Sequence, residues 1–165
     1  SRLRLIPPIY VKPFVKRHKN DAADAEAIAE AASRPTMRFV SVKSQEQQAR
    51  AMLFRTRDLL VRQRTQLINA LRGHLAEHGV VAPTGAAYLN RLAAAISDGK
   101  VALPEPVREL GILYLEQIEA LSARVNGLDR QMRKTAAEAD STRRLQTMPG
   151  VGPITAMAIE TFAPP

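Results

Sequence analysis

Hydrophobic and polar positions alternate with different periods in successive parts of the chain. Over residues 4–15, "RLIPPIYVKPFV", β-branched and aromatic residues are interrupted by Pro7, Pro8 and Pro13. Proline cannot donate to a sheet ladder, which confines this stretch to a short edge strand or an extended arm. "KNDAADAEAIAEA" follows with an Ala-rich helical pattern. Asn20 or Asp21 caps it, and Pro35 in "SRPT" stops it near Ser33. "MRFVSV", residues 37–42, alternates well enough for a second short strand. Strand, helix, strand over residues 1–43 reads as the tail of an α/β domain.

From Ser44 the period lengthens. "SQEQQARAMLFRTRDLLVRQRTQLINALRGHLAEHG" contains no proline and closes on Gly79, a residue suited to the left-handed position after a helix. Ser44 and Gln47 have capping-box spacing. Leu53, Leu60 and Leu67 recur every seven residues, and Met52, Leu59, Ile68, Leu71 and Leu75 widen the stripe. The other faces carry Arg50, Arg55, Arg57, Arg62, Arg64 and Arg72 with Asp58 as the nearby acid, so the spacing predicts a long amphipathic helix with a basic back.

Residues 80–104 hold Pro83, Gly85, Gly99 and Pro104 around a short helix, "AAYLNRLAAAI". A second long helix covers residues 105–140. Its Val107, Leu110, Tyr114, Ile118, Leu121, Val125, Leu128 and Met132 step by three or four in the coiled-coil manner. Two long striped helices predict an antiparallel hairpin, closed on itself or paired with another copy. "RRLQTMPGVGPITAMAIETF" then places a Pro-Gly-Val-Gly turn between two apolar helical patterns, with Pro153 suited to a first helical turn.

Composition sharpens this picture. Trp is absent and aromatics make up 4% of the 165 residues, so the core must be aliphatic. The absence of Cys excludes a disulfide scaffold, thiolate metal sites and a Cys nucleophile, and fits a reducing cytosol. No apolar run reaches the roughly 18–20 residues of a membrane span. The 24 Lys and Arg exceed the 16 Asp and Glu, for a net charge of +8. That excess attracts polyanions, although a solvated charged face accounts for it equally well. It is concentrated at the start, where Arg2, Arg4, Lys12, Lys16, Arg17 and Lys19 stand without an acid. A chain that begins at Ser1 and stops at "FAPP" is expected to be a fragment of something longer.

Three features carry candidate chemistry. Asp21 and Asp24, at i and i+3, share a helix face with Cβ atoms about 5–6 Å apart. Such a pair can serve one hard cation or bridge two metals, but acids at a helix start also simply complement the dipole. The turn at Gly150 and Gly152 can aim backbone N–H groups and a helix N-terminus at a phosphate, in the manner of a helix-hairpin-helix; as a mere turn it needs no function. His74 and His78 have a metal-like i,i+4 spacing, yet they lie in the last turn of a helix, where the dipole favours His.

Together, "VKPFVKRHKNDAADAEAIAEA", "RFVSVKSQEQQ", "RTRDLLVRQRTQLINALRGHLAEHG" and "LQTMPGVGPITAMAI" resemble, in that order, the DEDD transposases of bacterial insertion sequences. The group is IS-one-ten, and the branch is IS-eleven-eleven. The resemblance implies a division into residues 1–43, the C-terminal part of a RuvC-like catalytic domain with a ribonuclease-H-type fold; 44–140, a coiled-coil region; and 141–165, the start of a helix-hairpin-helix-like transposase domain. The fold class expected is therefore mainly α, a long antiparallel helical hairpin flanked by an α/β remnant and that third segment.

The resemblance also implies that Asp21 and Asp24 are the last two of four acids holding Mg²⁺ or Mn²⁺. The first Asp and the Glu would precede Ser1, and a nucleophilic serine would follow Pro165. Ser44, Ser122 and Ser141 do not stand in that serine's context. The fragment is therefore expected to be inactive alone, while its parent cleaves and joins DNA in the bacterial cytoplasm, associated with the nucleoid. DNA and a structured guide RNA are the implied partners, with homo-oligomerisation through the coiled coil. Lys16, Arg17, Lys19, Arg55, Arg62, Arg64, Gly150 and Gly152 are the expected nucleic-acid contacts. Two rival readings are a non-enzymatic nucleic-acid-binding dimerisation module and a Holliday-junction-type nuclease.

Overall fold

The structure is a computed structural model that describes residues 4–15, 20–99 and 101–163. Seven α-helices, and no strand, form among the described residues. They divide into two compact units, Ser1–Gln48 with Phe162–Pro165, and Ala49–Thr161.

In the first unit, α1 (Pro8–Val11) runs into a 3-10 turn, Lys12–Phe14, and is followed by α2 (Asp21–Ser33). The two strands expected here do not form. Pro8 takes the first position of α1, where its fixed φ suits a helix start, and Pro13 lies inside the 3-10 turn. What remains of strand pairing is one antiparallel bridge, in which the Val40 N–H donates to the Leu5 carbonyl at 2.8 Å. Two short segments with no third strand gain too little to sustain a ladder. The Arg4 guanidinium lies over the Phe39 ring, 4.9 Å from its centroid, and Arg34 lies over Phe14 at 5.3 Å. Ala27 and Ala31 of α2 are the fully covered apolar side chains among the unit's described residues.

The second unit is built on α3 (Gln45–Glu77) and α5 (Glu105–Glu138), which pack antiparallel. The local signals at the ends of α3 act as expected. The Gln47 N–H donates to Ser44 Oγ at 3.1 Å while Gln47 Oε1 accepts from the Ser44 N–H at 3.0 Å. At the other end Gly79 adopts φ +80, with Gly79 N–H on the Ala76 carbonyl and Val80 N–H on the Leu75 carbonyl, both at 3.0 Å. This is the Schellman arrangement, and Leu75 and Val80 complete it by joining one core.

That core also holds Ile68 and Leu71 of α3, Leu92 and Ile96 of α4 (Leu89–Ser97), and Ile118 of α5. Gly111 lets α4 sit close, since a Cβ there would stand 2.8 Å from Ile96 Cδ1. Arg108 of α5 hydrogen-bonds the Ile96 carbonyl near the C-terminus of α4, where a cation complements the dipole. At the far end of the hairpin, Met132 and Ala136 of α5 pack with Met157 of α7 (Pro153–Phe162), flanked by Leu53 and Phe54. The chain breaks after α5 at Ala139 and restarts as α6 (Asp140–Leu145); the buried Thr142 hydroxyl donates to the Ala136 and Ala139 carbonyls at that break, and the Ala139 carbonyl also accepts from the Arg143 N–H at 3.1 Å.

The hairpin thus closes on itself. Its core takes most of the expected stripe, with Ile68, Leu71 and Leu75 buried and Leu53 and Leu67 packed half-buried against the two clusters, but arginines share the inner side. Arg50, Arg57 and Arg64 recur every seven residues on the inner side of α3, and Leu53, Leu60 and Leu67 lie along its flank, each half-buried. Three residues advance a helix by about 300°, so the leucine row stands about 60° round from the arginine row.

Candidate metal and nucleic-acid site

The geometry of α2 settles which residue caps it. Asn20 has extended backbone, and its Oδ1 accepts from the Ala23 N–H at 2.7 Å. Asp21 and Asp24 are therefore free of capping, although both complement the dipole in the first turn. Asp21 is exposed and Asp24 half-buried. Asp24 lies on the wall of an apolar groove of about 830 Å³ that Leu5, Ile9, Val15 and Ile28 also line, with the cations Arg4 and Lys12. Neither carboxylate has a hydrogen bond or ion pair to another described residue.

Two carboxylates are suitable hard-oxygen donors, but a divalent cation of the Mg²⁺ or Ca²⁺ kind takes six or more oxygens. No cluster of three or more His, Asp or Glu gathers among the described residues. The pair fits as part of a cation site and needs further ligands to complete one. Lys16, Arg17 and Lys19 lie outside the described residues.

The arginines of α3 divide into two sets. Arg50 Nη1 stands 2.9 Å from Glu160 Oε2 of α7, and Glu160 Oε1 accepts from the Ser141 hydroxyl of α6 at 2.8 Å. Arg57 pairs with Asp129 of α5 through two hydrogen bonds, Nε to Oδ1 and, at 3.3 Å, Nη2 to Oδ2. The hydrogen bond to Arg57 holds the Asp129 carboxyl below the usual carboxylate range against the opposing effect of burial, with Arg133 and Arg64 adding to the lowering. Its counterpart raises the Arg57 guanidinium. Arg64 has its Nε buried without a hydrogen-bond partner among the described residues. Arg50 and Arg57 tie helices together.

The second set faces outward. Arg55 is exposed with no ion pair to a described residue, and Arg62 is exposed with Asp58 at 2.5 Å, one turn away. Such a surface pair contributes little to stability and is easily exchanged for a polyanion. Antiparallel packing brings Arg130 and Arg133 of α5, both exposed, to the same side of the hairpin. The sequence reading missed these two, because nothing local says which side of α5 adjoins Arg55 and Arg62.

In the turn before α7, Gly150 takes φ +82 and the Gly152 carbonyl accepts from the Ala156 N–H at 2.9 Å. Both glycines are exposed, and a Cβ at either would meet open space. Gly150 is demanded by its backbone. Gly152, with no positive φ, has no such internal reason. His74 packs its ring against Tyr114, with centroids 5.8 Å apart, and neither His74 nor His78 belongs to a three-ligand cluster of described residues. No helix of the described residues is long and apolar enough to cross a membrane.

Comparison with known proteins gives first a class, the transposases, and then a family. Residues 3–79 match the transposase family DEDD_Tnp_IS110. The chain is 46% identical to the transposase y4pF/y4sB of Sinorhizobium fredii, over 92% of this chain and 39% of the relative. It is 44% identical to the "Probable family 20 transposase" of Pseudomonas aeruginosa, over 98% of this chain and 48% of that protein. With the transposase for insertion sequence element IS1111A of Coxiella burnetii the identity is 41%, over 94% of this chain and 43% of the relative. The chain belongs to the IS110 family of DEDD transposases. It spans 39–48% of the length of these curated relatives. No solved structure matches it.

Proposed function

We propose that this chain forms part of a DNA transposase that mobilises an insertion sequence by metal-assisted cleavage and strand transfer. Asp21 and Asp24 would supply two of the ligands to Mg²⁺ or Mn²⁺, the others coming from elsewhere in a longer protein with a ribonuclease-H-type catalytic domain. The observation that carries this reading is the pair of carboxylates one turn apart, neither needed as the cap of α2 and neither paired with a described residue. A cation held there would neutralise charge developing on a phosphodiester.

The chain's own residues then bind and orient the strand. Arg55 and Arg62, with Arg130 and Arg133 of α5, offer phosphate contacts on one side of the hairpin, and Arg64 supports them from the seam. Arg55 and Arg62 are seven residues apart, about 10 Å along α3, a spacing suited to gripping a duplex by backbone and shape rather than by base edges. Lys16, Arg17 and Lys19 would add contacts beside α2. The turn at Gly150 and Gly152, read as helix-hairpin-helix-like, would present backbone N–H groups to a further phosphate. That the polyanion includes a structured guide RNA rests on the family resemblance.

The test is made in the full-length protein. Asp21→Ala and Asp24→Ala should each abolish Mg²⁺-dependent cleavage of insertion-sequence ends while leaving binding to the same DNA within a few-fold. The present chain alone should bind without cleaving. Undiminished cleavage by either variant would remove the metal role. A non-enzymatic binding module is favoured by one observation, the lack of a three-ligand cluster among the described residues. On that reading, reversing Arg55 and Arg62 destroys function and changing Asp21 does nothing. A panel of junction and linear substrates separates the junction-nuclease alternative.

A further inference from the structure

We propose that a cleft beside α1 holds one unstacked base of a single nucleic-acid strand, with the Tyr10 ring against the base and Arg38 on its phosphate. The cleft has a volume of about 280 Å³ and is bordered by Ile9, Tyr10, Pro13, Thr36, Met37 and Arg38, all in the first unit. None of these described residues is acidic.

The pairing elsewhere in that unit singles the cleft out. Phe39 carries the Arg4 guanidinium at 4.9 Å, Phe14 carries Arg34 at 5.3 Å, and Phe162 carries the Lys43 ammonium at 5.0 Å. Among the unit's described residues, Tyr10 is the aromatic ring left without a cation against it, and Arg38 is the arginine left without an ion pair or an aromatic partner. Both are exposed, Tyr10 by 43%, and the Tyr10 hydroxyl has no hydrogen bond to a described residue. An open aromatic face and an unpaired guanidinium at one cleft are the two parts that a nucleotide needs, a platform for the base and a fork for the phosphate. Thr36, also exposed, adds a hydroxyl that can donate to or accept from a base edge.

The geometry selects a single strand. A base inside a duplex is stacked on both faces, so a lone ring in a cleft reaches only one that is splayed out. Ile9 also borders the groove on whose wall Asp24 lies, so the cleft and that groove flank α1. A helix is about 10 Å thick, a distance that one strand covers in roughly three nucleotides at about 3.4 Å each. The cleft therefore suits a strand already opened next to the acid pair. The proposal rests on the reading that the chain handles nucleic acid, and it does not depend on a metal at Asp21 and Asp24.

The 165 residues contain no Trp, so Tyr10→Trp gives the intact chain a single fluorophore at the cleft. It is titrated with oligo-dT, its RNA counterpart oligo-rU, an abasic DNA strand of the same length and a blunt duplex. A base-bearing single strand should quench the emission, the stronger of the two marking DNA or RNA as the source, while the abasic strand and the duplex leave it unchanged. Tyr10→Ala should weaken single-strand binding roughly 10-fold in fluorescence anisotropy, and Tyr10→Phe should retain it, with duplex affinity and helicity as in wild type. Arg38→Ala should weaken the same binding and lower its dependence on log salt by about one phosphate contact. Equal quenching by the abasic strand, or unchanged single-strand affinity in Tyr10→Ala, would overturn the proposal. If duplex binding is nevertheless lost in Arg55→Glu with Arg62→Glu, the nucleic-acid reading stands without the cleft; a chain that binds neither strand nor duplex ends both.

Discussion

Replacing Asp129 with Asn should destabilise the hairpin by about 1–2 kcal/mol. Asp129 is 16% exposed at its side chain and Arg57 32%, so the pair is partly shielded from water. Neutralising the acid removes two charge-assisted hydrogen bonds, which contribute roughly 1.5–3 kcal/mol each where they are fully covered. It also leaves Arg57 close to Arg64 and Arg133, which act on the same carboxylate. The exposure of Arg57 reduces the effect toward the lower figure. For a domain of this size 1 kcal/mol shifts the melting temperature by about 2–4 °C, so a fall of roughly 2–8 °C is expected at neutral pH. Helicity followed during heating by circular dichroism measures it. The folded carboxyl lies below its ordinary value, so its contribution is complete above about pH 4 and disappears as pH falls through the lowered value. The gap between wild type and Asp129→Asn should therefore close in acid. Changing both partners, Arg57→Met with Asp129→Leu, should recover most of the loss because no lone buried charge remains. A single variant that melts within about 1 °C of wild type at neutral pH would refute the reasoning.

The break between α5 and α6 gives a second prediction. Thr142→Val keeps the shape of a 1% exposed side chain but removes the hydroxyl donor from the Ala136 carbonyl and one of the two donors to the Ala139 carbonyl, at a cost of about 1–3 kcal/mol in chemical denaturation. In the turn before α7 the two glycines should behave differently. Gly150→Ala must hold an alanine at φ +82 and should lose about 1 kcal/mol. Gly152→Ala should melt like wild type, and any weakening of its DNA affinity would then report backbone contact with the strand; equal stability losses in both variants would contradict this account.

Signals confined to a few neighbouring residues were legible before any fold was known. Ser44 and Gln47 form their reciprocal cap, Gly79 ends α3, and the three- and four-residue steps from Val107 to Met132 make α5. Each of these is decided within one or two helical turns. The strands at residues 4–15 and 37–42 were misread because alternation licenses a strand only where a sheet exists to receive it, and one bridge is all that forms. Among the arginines of α3, Arg50 and Arg57 read as part of a basic back because their acids, Glu160 and Asp129, lie far along the chain. Arg130 and Arg133 were missed for the same reason.

Helix content, capping and the family motif were thus carried by sequence, since each follows from local backbone preference or residue identity. Tertiary structure alone decided which arginines of α3 are drawn into the seam beside its apolar stripe. A seven-residue repeat marks a stripe but does not name its partner, and burial of an arginine becomes tolerable only when folding brings a carboxylate to it from another helix.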